Sequence, residues 1–389
     1  MRLGVAGLGR GFMMMLPTFE SYPRTRIVAA ADPRAEARAQ FAQDFGGATY
    51  ATVGELCADP SVDAVYLATP HQFHAEHVVA AAAQRKHVLV EKPMAVTLAE
   101  CATMIDAADA AGVQLIVGHS HSFDAPYRRT RELIASGAYG RARMITALNY
   151  TDFLYRPRRP EELDTAQGGG VVYSQAAHQV DIVRLLARAD IRTVRALTGA
   201  WDPARPTEGA YSALLTFADG AFASLTYSGY AHFDSDEFCG WIGEAGQRKD
   251  PARYGAARAL TGRPLPREDE AALKTRRGYG SVKETSVAPL AHNHFGLVIV
   301  SCEHADLRPV PDGVVVYADD MQRLEAVAPP AVPRAEVLDE LCDAVAGLRP
   351  ALHTGRWGQA TLGVCLAILA SAREGREIAL SQQRGMAAA

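Results

Sequence analysis

The sequence predicts an α/β fold in which a doubly wound parallel sheet is followed by an α+β part built on a large, mostly antiparallel sheet. In the first third of the chain, short apolar runs alternate with helical stretches. After about residue 122, strand-like runs follow one another with few helices between them. A chain of 389 residues is also long enough for two domains, and we place them at residues 1–122 and 123–389.

Five buried strands are predicted in the first domain, each of them a short apolar run bounded by glycine, proline or an acidic residue. They lie at residues 2–6, 27–32, 62–68, 87–90 and 113–117. Helical patterns fill the connections between them. Ligands bind such sheets at the carboxyl ends of the strands. The residues that follow each strand are therefore the first candidates for a site.

The second domain contains six predicted strands and a long insertion. The strands lie at residues 142–150, 192–201, 210–218, 221–230, 295–303 and 313–317, and helices at 334–347 and 357–373 close the chain. Residues 235–290 are rich in glycine and basic residues and show little periodicity. A segment of that length is usually functional, and the sequence leaves its role open between a lid and a contact between subunits.

Composition limits the classes of function. The formal net charge is −4, which gives no indication of a nucleic acid or an anionic membrane as a partner. No apolar window approaches the length of a transmembrane helix, so we expect a cytoplasmic protein. The six cysteines are scattered without a CxxC pair, which indicates neither a metal site nor a disulfide framework.

The turn after the first strand resembles a dinucleotide fingerprint. Gly7 suits the tight turn, Gly9 the close approach of a pyrophosphate, and the following helix N-terminus, with Arg10 and Gly11, offers amide donors. The third glycine position of the fingerprint is occupied by Phe12, so the strict pattern fails. The motif is weak in isolation, but its place between a strand and a helix favours a cofactor site.

Asp32 closes the second strand and is the candidate for binding the adenosine ribose. A carboxylate there repels a 2′-phosphate, which favours NAD. Arg34 is placed to hold that phosphate instead, so NADP remains possible. An alternative role for Asp32 is to cap the next helix. The remaining cofactor candidates follow the third and fourth strands, and they are Thr69, Pro70, His71, His74, Glu91 and Lys92.

Two groups of residues are candidates for the chemistry. Lys92, in Glu91-Lys92-Pro93, follows the fourth strand, where partial burial lowers the pKa of a lysine and lets it transfer a proton or hold a hydroxyl. In the second group, a triple glycine at 168–170 opens an amphipathic helix that carries Ser174, His178 and Asp181 on one face. A histidine suits general acid–base work, and the aspartate can orient its ring.

Taken together, the glycine turn, the acid at the strand end, Glu91-Lys92-Pro93 and the GGG-x₇-His-x₂-Asp pattern resemble the Gfo/Idh/MocA family of oxidoreductases over essentially the whole chain. The resemblance implies catalytic roles for Lys92 and His178. It also implies an open sheet in the second domain, whose face often forms a homodimer or homotetramer contact, and C-terminal helices that pack back toward the first domain. Sugar and inositol dehydrogenases of the family usually carry an aspartate where this chain has Ser174.

Other residues bear on the substrate. Three arginines precede the triple glycine and suit a carboxylate, although a solvated basic loop is an equal alternative; they are Arg156, Arg158 and Arg159. Four histidines at strand ends are further candidates for substrate binding, namely His119, His121, His292 and His294.

Several segments, HSHSFDAPYR and SQAAHQVD among them, are similar to phthalate 4,5-cis-dihydrodiol dehydrogenases of this family. That similarity implies oxidation of a carboxylated cis-dihydrodiol to a catechol. The alternatives are a sugar, inositol or sugar-acid dehydrogenase of the same family and a nucleotide-binding regulator without activity. Ser174 argues against the first alternative, and the presence of both Lys92 and His178 argues against the second.

Overall fold

The computed structural model describes residues 1–118, 120–230, 232–253, 258–259, 267–280 and 291–380. Their contacts divide them into two units. Unit 1 comprises the described parts of Met1–His119, Arg267–Ser286 and Val332–Leu362. Unit 2 comprises the described parts of Ser120–Pro266, Val287–Ala331 and Gly363–Ala389. The division into independently folding domains at residue 122 stays a prediction.

Unit 1 contains the predicted parallel sheet, with six strands rather than the five predicted. Its strands are β1 (Arg2–Ala6), β2 (Arg26–Ala31), β3 (Ala48–Tyr50), β4 (Ala64–Leu67), β5 (His87–Val90) and β6 (Leu115–Val117). The order β3-β2-β1-β4-β5-β6 reverses direction next to β1, which is the doubly wound arrangement. β3 was not predicted, because three residues are too few to show a periodicity.

Helices connect these strands. They are α1 (Arg10–Ser21), α2 (Ala35–Phe45), α3 (Val53–Ala58), α4 (His74–Ala83) and α5 (Leu98–Ala111). All four residues of β4 are buried, as expected for a parallel strand covered on both faces. Two later helices also contribute to this unit. They are α8 (Arg267–Thr275), from the predicted insertion, and α9 (Ala335–Val345).

Unit 2 is built on a nine-stranded sheet, which confirms the predicted second sheet. Its strands are β7 (Ala142–Tyr150), β8 (Ile191–Gly199), β9 (Ala210–Phe217), β10 (Phe222–Ser228), β11 (Leu297–Cys302), β12 (Ala305–Val310), β13 (Gly313–Ala318), β14 (Gln322–Ala326) and β15 (Ile378–Ala379). The order is β14-β13-β12-β11-β7-β10-β9-β8-β15. Among the described strands of this second sheet, β7 and β10 form the one parallel pair.

Two helices of unit 2, α6 (Ala125–Ala135) and α7 (Ala177–Ala187), pack on one face of this sheet. Every residue of α7 is buried, so the expected amphipathic helix is instead a helix enclosed on all sides. A π-helical turn, Val172–Ala176, precedes it. The last helix, α10, spans Gly355–Glu374. No helix in the described part of the chain is long and apolar enough to cross a membrane.

The opposite face of the large sheet carries exposed apolar side chains. They are Met144, Leu197, Leu214, Phe222, Tyr317 and Leu324. Strand register places them on the same side, because from Leu197 through Leu214 and Phe222 to Met144 each is paired with the next or lies two residues from its partner. Met144 pairs with Ser301, Ser301 with Asp306 and Asp306 with Tyr317, and Tyr317 lies two residues from the partner of Leu324. Within the described chain, this apolar sheet face has no covering layer.

His74, in the first turn of α4, joins two loops at the carboxyl end of the unit 1 sheet. Its Nε2 lies 2.9 Å from the Thr69 carbonyl oxygen and its Nδ1 lies 3.1 Å from the Pro93 carbonyl oxygen. The imidazole is 1% exposed, and burial lowers its pKa from the ordinary 6.5 to about 4. The buried ring therefore lies between the loop that follows β4 and the loop that carries Lys92, and in its neutral form it donates one hydrogen bond, to the carbonyl oxygen of one of these loops.

Replacing His74 with glutamine tests this contact. A histidine whose pKa falls on folding binds protons more readily when unfolded. Its contribution to stability is therefore complete above the ordinary pKa and is lost as the pH falls toward the folded value. For His74 in the wild-type chain, this loss of unfolding free energy amounts to about 3 kcal/mol. We expect His74→Gln to lose less unfolding free energy than the wild type between about pH 7 and about pH 4.5 in denaturant titrations.

His232→Gln, at an exposed histidine, controls for the removal of an imidazole. Identical pH dependence in wild type and His74→Gln would contradict the assignment of a buried neutral ring.

Candidate active site

The glycine turn after β1 has the geometry that a dinucleotide requires. Gly7 has φ +91°, and a Cβ there would lie 2.8 Å from the Ala68 carbonyl oxygen, so only glycine fits. A Cβ at Gly9 would meet nothing within 4 Å, which leaves open space beside the turn. α1 begins at the next residue, and the first amides of a helix have no intrahelical acceptors. The open space beside Gly9 therefore lies next to amide groups that can donate hydrogen bonds, an arrangement that fits a pyrophosphate.

Asp32 lies at the end of β2 and is 5% exposed. Its Oδ2 accepts a hydrogen bond from the Leu8 amide at 2.8 Å, which fixes the glycine turn against β2. Its Oδ1 accepts from the Arg34 amide at 2.9 Å and from Arg34 Nε at 2.9 Å, and Arg34 Nη2 lies 3.1 Å from Oδ2. A carboxylate has about four acceptor positions, so a ribose hydroxyl would compete with Arg34 for this group.

The Phe12 side chain is fully buried and packs against Phe19, with ring centroids 6.2 Å apart. Its predicted contact with the cofactor would therefore involve the backbone amide alone. Arg10 is exposed at the start of α1. Thr69, Pro70 and His71 lie in the partly buried connection between β4 and α4. Cofactor contacts by these residues stay predictions.

The loop that follows β5 carries Glu91 and Lys92. Glu91 Oε1 accepts a hydrogen bond from the Tyr66 hydroxyl at 2.6 Å, which anchors this loop to the neighbouring strand β4. Tyr66 is fully buried, and burial followed by the Glu91 charge holds its pKa well above the ordinary value, so the hydroxyl keeps its proton. Lys92 is partly buried beside this anchored glutamate. Its catalytic role stays a prediction.

In unit 2, two predicted histidines meet. The imidazoles of His121 and His178 pack edge to face with centroids 4.8 Å apart, and both contact Phe295, at 5.0 and 4.9 Å. His121 Nδ1 lies 2.7 Å from Asp124 Oδ2, and both side chains are buried. The structure therefore pairs one imidazole with a carboxylate and places the second against it. Asp124 was not singled out from the sequence, although its position three residues after His121 was the available signal.

A buried carboxylate sets the start of the segment that carries His178. Glu208 Oε1 accepts a hydrogen bond from the Val172 amide at 3.1 Å, and Glu208 is 6% exposed. Gly170 has φ +83°, and a Cβ there would lie 2.0 Å from the same oxygen. The triple glycine thus lets the chain reach Glu208, which lies 36 residues after Val172 and was not singled out from the sequence.

Ser174 and Asp181 make local hydrogen bonds. The Ser174 hydroxyl donates to the Gly170 carbonyl oxygen across the π-helical turn. Because this turn is not α-helical, Ser174 and His178 do not share the regular helix that their spacing predicted. Asp181 Oδ2 accepts from the Ser122 hydroxyl at 2.5 Å, which ties α7 to the turn that carries His121.

Acidic partners accompany each of the three predicted arginines. Arg156 Nε lies 3.0 Å from Asp152 Oδ1, and its Nη1 lies 3.6 Å from Glu244 Oε2. Arg158 stacks over the Phe153 ring at 3.6 Å and pairs with Glu162 at 3.5 Å. Arg159 pairs with Glu161 at 2.9 Å. The prediction of a carboxylate-binding loop therefore needs refinement, because a substrate carboxylate would have to exchange with these acids.

Glu244 is the acid that the insertion contributes. Burial raises its pKa, but the charges of Arg156, His121 and His294 outweigh burial and hold the pKa below the ordinary value. For Arg156, burial lowers the pKa, whereas Glu244 and Asp152 outweigh it and raise the pKa. Burial lowers the pKa of Arg158 to about 10, so this guanidinium stays cationic near neutral pH.

Of the remaining histidine candidates, two contact backbone carbonyl groups and one lies outside the described residues. His292 Nε2 lies 2.7 Å from the Ala328 carbonyl oxygen. His294 Nε2 lies 2.7 Å from the Ile242 carbonyl oxygen, and its Nδ1 accepts from the Gly296 amide at 3.1 Å. Both imidazoles are buried, so substrate contacts by them stay predictions. His119 lies outside the described residues.

Comparison with protein families matches both parts of the chain. Residues 1–119 match the model of the oxidoreductase family with an NAD-binding Rossmann fold, and residues 127–248 match the GFO/IDH/MocA C-terminal domain. A 1-carboxy-3-chloro-3,4-dihydroxycyclohexa-1,5-diene dehydrogenase from Comamonas testosteroni is 49% identical over 373 residues, which cover 95% of this chain and 94% of the relative.

Solved structures show the same fold. A structure from Bordetella bronchiseptica RB50, described as a dehydrogenase, superposes with a TM-score of 0.92 at 45% identity and covers 97% of this chain and 99% of its own. The WlbA dehydrogenase from Bordetella pertussis, solved with NADH and UDP-GlcNAcA, has a TM-score of 0.68 at 21% identity and covers 98% and 99%. This chain belongs to the GFO/IDH/MocA family and is an oxidoreductase with an NAD-binding Rossmann domain.

Proposed function

We propose that this enzyme oxidises a carboxylated cis-dihydrodiol, of the phthalate 4,5-cis-dihydrodiol type, to the corresponding catechol. The observation that carries the proposal is the near-complete match to a relative that is named as the dehydrogenase of a carboxylated dihydroxycyclohexadiene. In this reaction, one carbinol C–H bond and its O–H bond break, and the resulting ketone tautomerises to an aromatic ring. The bound nicotinamide accepts the hydride.

His178 and Lys92 are proposed to handle the proton and the hydroxyl. A histidine is suited to remove the proton from the hydroxyl oxygen while hydride leaves the carbon that bears this hydroxyl. Asp124 fixes the His121 ring, because its carboxylate lies 2.7 Å from His121 Nδ1. The fixed His121 ring would then orient the His178 ring that packs against it. Lys92 would hold the hydroxyl oxygen. Ser174 supplies no charge to such a relay, which suits a reaction whose product gains aromaticity.

Arg156 is the proposed partner of the substrate carboxylate. Its side chain is 37% exposed and already lies between two carboxylates, from Asp152 and Glu244. A guanidinium can bind a carboxylate through two parallel hydrogen bonds, which favours exchange of one acid for a substrate group of the same geometry. Phe295 contacts both imidazoles and is itself 1% exposed, so it would support the two histidine rings rather than contact the substrate.

A second copy of the chain is proposed to cover the apolar sheet face of unit 2. Six large apolar side chains are exposed there in regular register, and contiguous apolar patches of this kind mark interaction surfaces. A two-fold contact would place the same face of both copies together. We therefore propose a homodimer or a dimer of dimers. We also propose that this assembly is cytoplasmic, as expected from the sequence.

The absorbance of NADH tests the proposed substrate directly. Purified enzyme with NAD or NADP is offered the cis-4,5-dihydrodiol of phthalate, myo-inositol, glucose and galacturonate. Cofactor reduction with the dihydrodiol alone is the expected result. Reduction with a polyol, and none with the dihydrodiol, would reject the substrate class and the argument from Ser174.

Lys92→Met and His178→Ala are expected to lower kcat on the order of a hundredfold or more, because each removes a group that acts on the reacting hydroxyl. Both variants should still bind NADH, as measured by the change in NADH fluorescence. Full turnover by either variant with cofactor bound would remove that residue from the catalytic assignment.

Arg156→Met is expected to raise KM for a carboxylated dihydrodiol about tenfold or more, since a charge-assisted hydrogen bond is lost. The same variant should leave KM for an uncarboxylated cis-dihydrodiol nearly unchanged. Arg143→Met, at an exposed arginine that pairs with Glu303, is the matched control. Equal effects on both substrates would mean that Arg156 only supports the fold.

Leu214→Asp places a charge on the apolar sheet face, where Leu214 is 46% exposed. We expect this variant to sediment as a single chain while the wild type sediments as two or four. Leu348→Asp controls for the charge, because Leu348 is 68% exposed but lies outside the sheet. A monomeric wild type would refute the proposed assembly.

A further inference from the structure

Residues 276–280, which follow α8 in the insertion, pack on the glycine turn of unit 1. We call this segment the cofactor strap. Gly278 and Tyr279 are buried, whereas Arg276, Arg277 and Gly280 are exposed. The family relationship and the proposed substrate chemistry assign no role to this segment. The contacts that it makes with the glycine turn indicate one.

Tyr279 anchors the cofactor strap. Its ring lies edge-on to Phe12 with centroids 5.2 Å apart, and it lies 6.5 Å from Phe45. The hydroxyl donates a hydrogen bond to the Asp44 carboxylate, and the whole residue is 6% exposed. The anchor thus joins α1, which begins at the glycine turn, to the end of α2.

The backbone of the cofactor strap binds the glycine turn itself. The Tyr279 amide donates to the Leu8 carbonyl oxygen at 3.0 Å. The same oxygen accepts from Arg34 Nη2 at 2.8 Å, while the Leu8 amide donates to Asp32 at 2.8 Å. Leu8 stands between Gly7 and Gly9, so its peptide groups form the turn that approaches the pyrophosphate. Three partners therefore fix these peptide groups, and the cofactor strap is one of them.

Gly278 brings the cofactor strap into close contact with Arg34. A Cβ at this position would lie 3.2 Å from Arg34 Nη1 and 3.4 Å from the Leu8 carbonyl oxygen. The guanidinium is thus confined between the Asp32 carboxylate and the backbone of the cofactor strap. The side of the turn at Gly9 stays open, because a Cβ there would meet nothing within 4 Å. The cofactor strap therefore supports the turn and leaves the approach to it open.

We propose that the cofactor strap is part of the cofactor site, where it positions the Leu8 peptide groups and the Arg34 guanidinium for the adenosine and pyrophosphate parts of NAD. The insertion then acts within the subunit that carries it. Tyr279 is a positioning residue, because it acts on the cofactor through Leu8. The proposal rests on NAD binding and is independent of the identity of the oxidised substrate.

The first test compares NADH affinity in Tyr279→Ala, Tyr279→Phe and wild type by NADH fluorescence. Tyr279→Ala should weaken binding about tenfold, as expected when an ordered turn loses a support worth one hydrogen bond. It should also raise KM for NAD more than it lowers kcat. Both variants keep the backbone donor, but Tyr279→Phe also keeps the ring that packs against Phe12, so it should recover most of the affinity. Asp269→Ala, at an exposed residue of α8, is the control.

Wild-type affinity in a folded Tyr279→Ala would overturn the proposal. A second experiment decides the case in which that variant does not fold. Arg276 and Arg277 are exposed trypsin sites in the cofactor strap of the wild-type enzyme. NADH should slow cleavage after them and leave cleavage after Arg323, an exposed arginine of unit 2, unchanged. Equal rates with and without NADH would also overturn the proposal. Both readouts use NADH alone, so inactivity toward a dihydrodiol would not affect them.

Discussion

The hydrogen bond from the Leu8 amide to the Asp32 carboxylate is the contact on which the cofactor side of this enzyme depends. It joins the turn after β1 to the end of β2 at 2.8 Å, in a place where the carboxylate is 5% exposed. A buried carboxylate is stable only when its oxygens are paired, and Arg34 supplies the remaining donors. The same guanidinium then contacts the turn from the other side, through the Leu8 carbonyl oxygen. One acid therefore organises the turn, the arginine and, through that carbonyl group, the cofactor strap.

A comparable constraint governs unit 2, where a buried acid determines the path of the chain into the helix that carries His178. Glu208 occupies the position that any side chain at residue 170 would need, which explains a glycine with positive φ at that point. The acid also accepts a hydrogen bond from the Val172 amide, at the positive end of the helical segment. Asp181, farther along in α7, accepts a hydrogen bond from the Ser122 hydroxyl. The two imidazoles are thus positioned by carboxylates that need never contact a substrate.

The sequence was sufficient for the features that depend on local patterns. Apolar runs located five of the six strands of unit 1, and the glycine turn and Asp32 were recognised as candidates for the cofactor site. It was insufficient where the decisive partner is distant in the chain. Glu208 lies far from the glycines that it explains, and nothing in its neighbourhood indicates a capping role. β14 was missed because its residues are polar, as is common at a sheet edge.

The site residues divide in the same way. His121 and His178 were each recognisable as candidates, but 57 positions separate them and only the fold brings their rings together. Arg156 was correctly seen as part of a basic loop, whereas its partner Glu244 comes from the insertion, which showed no periodicity. Tyr279 belongs to the same insertion. The long insertion, which shows no periodic pattern, therefore contains two of the contacting residues that the sequence could not predict.

The proposed transfer of hydride from a carbinol carbon to the cofactor can be followed with a dihydrodiol deuterated at both carbinol carbons. We expect one deuterium to appear in the reduced nicotinamide and the other to be lost to water as the ring becomes aromatic. Reduced cofactor without deuterium, analysed by mass spectrometry, would contradict it.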